Sequence, residues 1–247
     1  MTSHDAFPST HTTWMHGELD AGEERRRALR SIVMARYFEP LRIYVKGSSY
    51  RHLGESAELV SAFFVSRFAR DDYLDAWRES GMTLRRWLIN GLILSMREEV
   101  RRRRRAAKRG LIGTGQAGTE TGDDAAEADP FASLESPEPE AVAAFERAWA
   151  LATLREACEE VETICNADGA ASAWLVFRRH FFDGLPYSTL VDESGLEPPA
   201  AAAAARMVAN RVRAAIRRLI ARDGVHPDEV DAEFRRVAAI VERSDHD

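Results

Sequence analysis

Cysteine is nearly absent from the 247 residues: only Cys158 and Cys165 occur. Seven positions apart on one predicted helix, they stand two turns from each other, which excludes a disulfide while that helix is folded. Both read as buried apolar filler. His180 and His226 are too isolated to complete a zinc site with them, so no metal and no other cofactor is expected. Also missing is any uninterrupted apolar run of about 18 residues, the length that spans a bilayer. Residues 1 to 24 lack the charged start and apolar centre of a signal peptide, so the expected location is cytoplasmic, with no membrane partner. There is no glycine-rich phosphate loop, no nucleophile elbow and no His-Glu pair at metal-binding helical spacing, and the chain does not read as an enzyme.

What is present favours helices. Ala, Arg, Glu and Leu dominate, Val-Ile-Thr alternation is almost absent, and 45% of residues are hydrophobic. Intrinsic propensity then predicts an all-α protein of one or two compact domains with a real core.

The formal net charge of −6 argues against nucleic acid until its distribution is read. From Arg97 to Arg109 there are eight basic residues (Arg97, Arg101 to Arg105, Lys108, Arg109) against Glu98 and Glu99. From Thr119 to Glu140 there are eight acids and no Lys or Arg. A chain segregated in this way can be acidic overall and still grip a polyanion locally. Five consecutive arginines put guanidinium groups all round a helix, where they repel one another unless a polyanion is near. RNA or an acidic protein surface would satisfy the same charges as DNA. The adjacent acids can also fold back on the arginines and inhibit them.

Hydrophobic periodicity predicts a helix over 23–46 (Leu29, Ile32, Val33, Tyr37, Leu41, Tyr44), with Pro40 as a kink or division. A second follows Ser56 (Leu59, Ala62, Phe63, Val65, Phe68), and a third runs over 83–108 (Leu84, Trp87, Leu88, Leu92, Met96). Between them, 70–83 reads as a loop, and there Tyr73 and Trp77 are candidates to stack on an unpaired base. Residues 110–138 read as a flexible acidic linker. Helices resume over 139–166 (Val142, Phe145, Trp149, Leu151, Leu154, Val161, Ile164) and 171–182. A short helix over 187–193, a turn at Ser194-Gly195 and a long helix over 198–222 have the order of a helix-turn-helix, and a last helix spans 227–241. The long helix has no acid between Ala200 and Arg222, and Arg206, Asn210, Arg211, Arg213 and Arg217 are its candidates for DNA contact. Its Ala200 to Ala205 stretch offers base edges only methyl groups, and it reads equally as a helix packed closely on a neighbour.

Several fragments in order resemble one family. They are Phe7-Pro8-Ser9-Thr10 with Thr13-Trp14, Tyr37-Phe38-Glu39-Pro40-Leu41 with Tyr44-Val45, Ala57-Glu58-Leu59 with Phe63-Phe64, and Asp71-Asp72-Tyr73-Leu74. Leu84-Arg85-Arg86-Trp87-Leu88 leading into Arg103 to Gly110, Phe145 to Ala150 and Asp228 to Arg235 complete the set. Together they resemble extracytoplasmic-function-type RNA polymerase sigma factors of the longer, planctomycete-like group.

The resemblance implies a non-catalytic initiation factor that brings core RNA polymerase to promoter DNA. Residues 27–108 would match the module that holds the β′ clamp helices and melts the minus-ten element. Within it, Glu58, Leu59, Ala62, Phe63 and Arg67 would bind polymerase. DNA would be met by Tyr73, Trp77, Arg85, Arg86 and Asn90, and by the basic helix with Arg97, Arg101, Arg104, Arg105 and Lys108. Residues 141–224 would dock on the β flap and read the minus-thirty-five element through Arg206 to Arg217, and the acidic linker would thread toward the polymerase active-site channel. The domain scheme is therefore an N-terminal extension over 1–24, a first helical domain over 25–109, the linker over 110–138, a helix-turn-helix domain over 139–225 and a C-terminal helix and tail over 226–247. An anti-sigma or regulatory partner would fit the same scheme. Two departures from the family pattern are the polyalanine and Val60-Ser61, which stand where polar residues are usual. Competing readings are a sigma-like DNA-binding regulator or adaptor that no longer initiates, and an RNA-binding or scaffolding helical protein.

Overall fold

A computed structural model describes residues 12–112 and 138–244. Among the described residues every regular element is helical, and no helix is long and apolar enough to cross a membrane. The expected linker over 110–138 falls almost wholly outside them. The chain divides into two compact units, and the division lies between Trp149 and Ala150.

The unit His16–Trp149 contains most of α1 (Thr12–Asp20), then α2 (Glu23–Gly47), α3 (Ser56–Phe63), α4 (Tyr73–Ser80), α5 (Leu84–Ile112) and the start of α6 (Pro139–Ala167). Pro40 does not divide α2. The helix loses one backbone hydrogen bond there but buries Tyr37, Pro40, Leu41 and Tyr44 on one face, and that packing outweighs the loss. After α3 a single π-helical turn, Phe64–Phe68, widens the chain, with the Ala69 N–H donating to the Phe64 carbonyl at 2.9 Å. That turn lets Phe63, Phe64 and Phe68 all point inward, while Val65, expected in the core, is 77% exposed.

The predicted loop over 70–83 is mostly helix. Tyr73, Leu74 and Trp77 lie on the inner face of α4, and Gly81 closes it in the left-handed conformation at φ 66°. Tyr73 joins an aromatic cluster, its ring centroid 6.1 Å from Phe63, 5.7 Å from Phe68 and 5.6 Å from Trp87. α5 passes beneath this cluster at Gly91, where a Cβ would lie 2.1 Å from the Tyr73 hydroxyl.

The second unit runs from Ala150 and contains the rest of α6, α7 (Ala171–Phe181), α8 (Val191–Ser194), α9 (Pro198–Arg222) and α10 (Val230–Ser244), with Thr12–Met15 grouped to it. Val176 of α7, Leu190, and Ala201 and Ala205 of α9 form one buried cluster, with Tyr187 and Leu196 packed on it. Gly195, at φ 69°, ends α8, and its N–H donates to the Val191 carbonyl at 2.8 Å. The buried Ser194 hydroxyl donates to the Leu190 carbonyl at 2.6 Å and accepts from the Leu196 N–H at 3.2 Å, which fixes the turn into α9. Pro198 and Pro199 occupy the first turn of α9, where their missing N–H groups go unneeded.

Along α6 the buried positions recur every fourth residue: Ala141, Phe145, Trp149, Thr153, Ala157, Val161 and Cys165. Leu151 and Ile164, expected in the core, are exposed, as is Ile32 on α2. Both cysteines are free thiols, Cys165 buried and Cys158 half-buried, and burial pushes the Cys158 thiol up to about 11.

Candidate nucleic-acid interface

α5 has two halves with different tasks. Its first half is core, because Leu84, Leu88, Leu92 and Met96 recur at helical spacing and bury completely or nearly so. Its second half leaves the core, and residues 101–107 are all exposed. Glu99, one turn before the run, holds two of the guanidinium groups, Arg102 at 2.6 Å and Arg103 at 2.7 Å. Hydrogen bonding from Arg103 and then Arg102 keeps its carboxyl below the ordinary range. Arg101, Arg104 and Arg105 have no ion pair among the described residues and stand in solvent. For Lys108 only the backbone falls within the described residues, so its side chain lies outside them.

The expected residues at the other end of α5 are placed differently. Tyr73 and Trp77 are buried, at 9% and 2% exposure, and the Trp77 indole donates to the Met82 carbonyl at 2.9 Å. Neither presents a ring to a base. Their amphipathic spacing with Leu74 covers the aromatic cluster, and apolar burial outweighs the loop signal of Asp71-Asp72. Arg85 is 7% exposed, its Nε 3.3 Å from Glu146 Oε1 and its guanidinium 4.4 Å from the centre of the Trp149 ring. Asn90 is buried, with its amide 3.8 Å from the Met82 sulfur, and Arg97 is half-buried, donating to the Tyr50 hydroxyl at 3.3 Å. Arg86 is exposed.

Of the expected polymerase contacts, Glu58 and Ala62 are exposed and Leu59 is half-buried. Phe63 is fully buried in the aromatic cluster, so it is a core residue and not a contact. Arg67 pairs with Glu98 of α5. Glu58, Leu59 and Ala62 line an open groove of about 440 Å³ whose far wall includes Met96, Glu98 and Arg102.

In the second unit most arginines of α9 are engaged within the unit. Arg211 pairs with Asp168 at 3.0 Å, Arg218 with Glu160, and Arg217 with Asp231 at 2.7 Å while lying 4.2 Å over the Phe234 ring. Arg213 donates to the Asn210 side-chain carbonyl at 3.0 Å. Arg206 is exposed with no ion pair among the described residues. The polyalanine splits between two duties: Ala201 and Ala205 bury against α7 and α8, while Ala200 and Ala203 face solvent. Sequence reasoning missed Glu138, Glu146 and Glu99 as partners. For Glu146 and Glu99 the signal was an acid within one helical turn of an aromatic or an arginine; Glu138 has neither so near in the sequence.

Among the described residues no group of His, Cys, Asp and Glu could hold a metal ion. Comparison with family models, curated proteins and solved structures found no match.

Proposed function

We propose that this protein is a sigma-type transcription initiation factor, cytoplasmic and non-catalytic, that binds core RNA polymerase and directs it to promoter DNA. The observation that carries the reading is the end of α5, where Arg101, Arg104 and Arg105 stand in solvent on a rigid helix anchored by an aromatic core. Guanidinium groups left to solvent are available to phosphate oxygens and release counterions on binding. Supporting it, α8, the Gly195 turn and α9 have the order of a helix-turn-helix, with Arg206, Asn210 and Arg213 on the exposed side of the second helix. The β′ clamp helices would seat at Glu58, Leu59 and Ala62, the β flap on the second unit, and 110–138 would link the two modules.

The test is co-purification with bacterial core RNA polymerase followed by run-off transcription from genomic fragments. Discrete transcripts that disappear when Glu58 and Ala62 are replaced by Lys are the expected result. No stable polymerase complex overturns the reading.

One observation favours a second reading, a sigma-like DNA-binding adaptor that no longer initiates. The exposed positions of α9 ahead of Arg206 are Pro199, Ala200 and Ala203, which offer no hydrogen bond to a base edge. Tight, sequence-independent binding to duplex DNA without polymerase, and no transcripts with it, would select this alternative.

A further inference from the structure

The start of α6 grips the unit His16–Trp149 by one stripe. Glu138, Ala141, Phe145 and Trp149 are spaced by three and four residues and therefore share a helix face. Both Glu138 carboxylate oxygens accept the Ser49 N–H, at 2.8 and 3.0 Å. A Cβ built on Gly47 would lie 3.6 Å from the Ala141 Cβ, so α6 passes close to the end of α2. Phe145 and Trp149 bury completely. The stripe ends on Arg85, which is held by Glu146 and covered by the Trp149 ring.

Arg85 sits in the first turn of α5, beside the exposed Arg86. Glu146 and the Trp149 ring cover Arg85, which at 7% exposure leaves no room for a phosphate at its guanidinium. A buried ion pair contributes little to stability over an apolar packing of the same volume, so this one asks for another role. Glu146 keeps 22% of its side chain exposed and Glu138 lies at the surface, so water reaches both ends of the stripe.

We propose that the first three turns of α6, Pro139–Trp149, are an autoinhibitory latch that withholds Arg85 from DNA until polymerase binding lifts them. This rests on the DNA-binding reading of α5 given above. Closed, the near end of α5 offers phosphate Arg86 but not Arg85; open, it adds the Arg85 guanidinium beside it.

The closeness of Gly47 and Ala141 supplies the test, because 3.6 Å lies within the roughly 3.5–4.5 Å separation of Cβ atoms across a disulfide. The full chain carrying Gly47→Cys and Ala141→Cys, with Cys158→Ala and Cys165→Ala to remove other thiols, is bound to core polymerase and titrated with labelled mixed-sequence forked DNA. Oxidised and reduced forms are compared at several salt concentrations. The expected result is several-fold weaker binding by the oxidised form, with a salt slope lower by about one neutralised phosphate. Arg85→Gln in the reduced form should reproduce the oxidised slope. Equal affinity and slope in the two forms overturn the latch and make α6 a permanent part of the unit. If neither form binds DNA with polymerase present, the DNA reading of α5 falls and the latch falls with it.

Discussion

The ends of α5 and α9 are alike in sequence and unlike in structure. Each is an arginine-rich helical stretch, but among the described residues acids on neighbouring elements approach only one of them closely. On α9, Asp168, Glu160 and Asp231 reach Arg211, Arg218 and Arg217 from the turn after α6, from α6 itself and from α10. On α5, Glu99 of the same helix is the only acid among the described residues that reaches into the run, and among those residues Arg101, Arg104 and Arg105 meet no acid. A guanidinium already holding a carboxylate has its charge partly neutralised and fewer donors left for a phosphate, so equal numbers of arginines do not make equal interfaces. The free charge of a helix depends on what packs beside it.

The largest change is expected when Arg101, Arg104 and Arg105 are all replaced by Gln. The slope of log K against log salt for single-stranded or forked DNA should flatten by about 0.7–0.9 for each phosphate no longer neutralised, with little change in melting temperature. A large drop in melting temperature with the slope unmoved would make these arginines structural. Next in size is Gly91→Ala in the core half of α5. Its methyl group meets the Tyr73 hydroxyl and the Phe63 ring, and overpacking of this kind costs about 1–3 kcal/mol. Chemical denaturation should show that loss, and an unchanged midpoint would mean that the aromatic cluster yields easily. On α9, Arg211→Gln or Arg218→Gln should cost at most about 1 kcal/mol, as expected of pairs this exposed, and should move the salt slope less than a single α5 substitution does.

The smallest effect concerns pH. Glu99 and Glu138 have folded-state pKa values below the ordinary 4.5, Glu99 through Arg103 and Glu138 through its hydrogen bonds with Ser49. A depressed carboxyl contributes stability that is fully present above the ordinary value and is lost as pH falls through the lower, folded one. Melting temperature should therefore decline below about pH 4.5, and Glu138→Gln should remove part of that decline. A variant with the full decline would show that Glu138 does not tether α6.

Much of the element order was legible because apolar residues at helical spacing need no knowledge of their neighbours. The expected helices over 139–166 and 198–222 stand against observed bounds of Pro139–Ala167 and Pro198–Arg222. α4 was not legible, since eight residues between Asp71-Asp72 and Gly81 are too few for a periodicity to outweigh the loop signal. The buried stripe of α6 was misread for a different reason. Leu151 and Ile164 are the more hydrophobic side chains, yet Thr153 and Ala157 are the ones covered, while Cys165 is buried as its reading as apolar filler expects. Helix faces are chosen by what packs on them, and small residues there permit close approach.

For the candidate interface, the sequence alone determined that arginines are concentrated in two stretches, because charge along a chain can be counted without coordinates. Which of those charges remain outward was settled by how the helices pack. That packing placed Asp168, Asp231 and Glu146, distant in sequence, beside Arg211, Arg217 and Arg85, and it turned Tyr73, Trp77 and Phe63 into the core. The reason is physical: ion pairing and burial act between residues that meet only after the helices have packed.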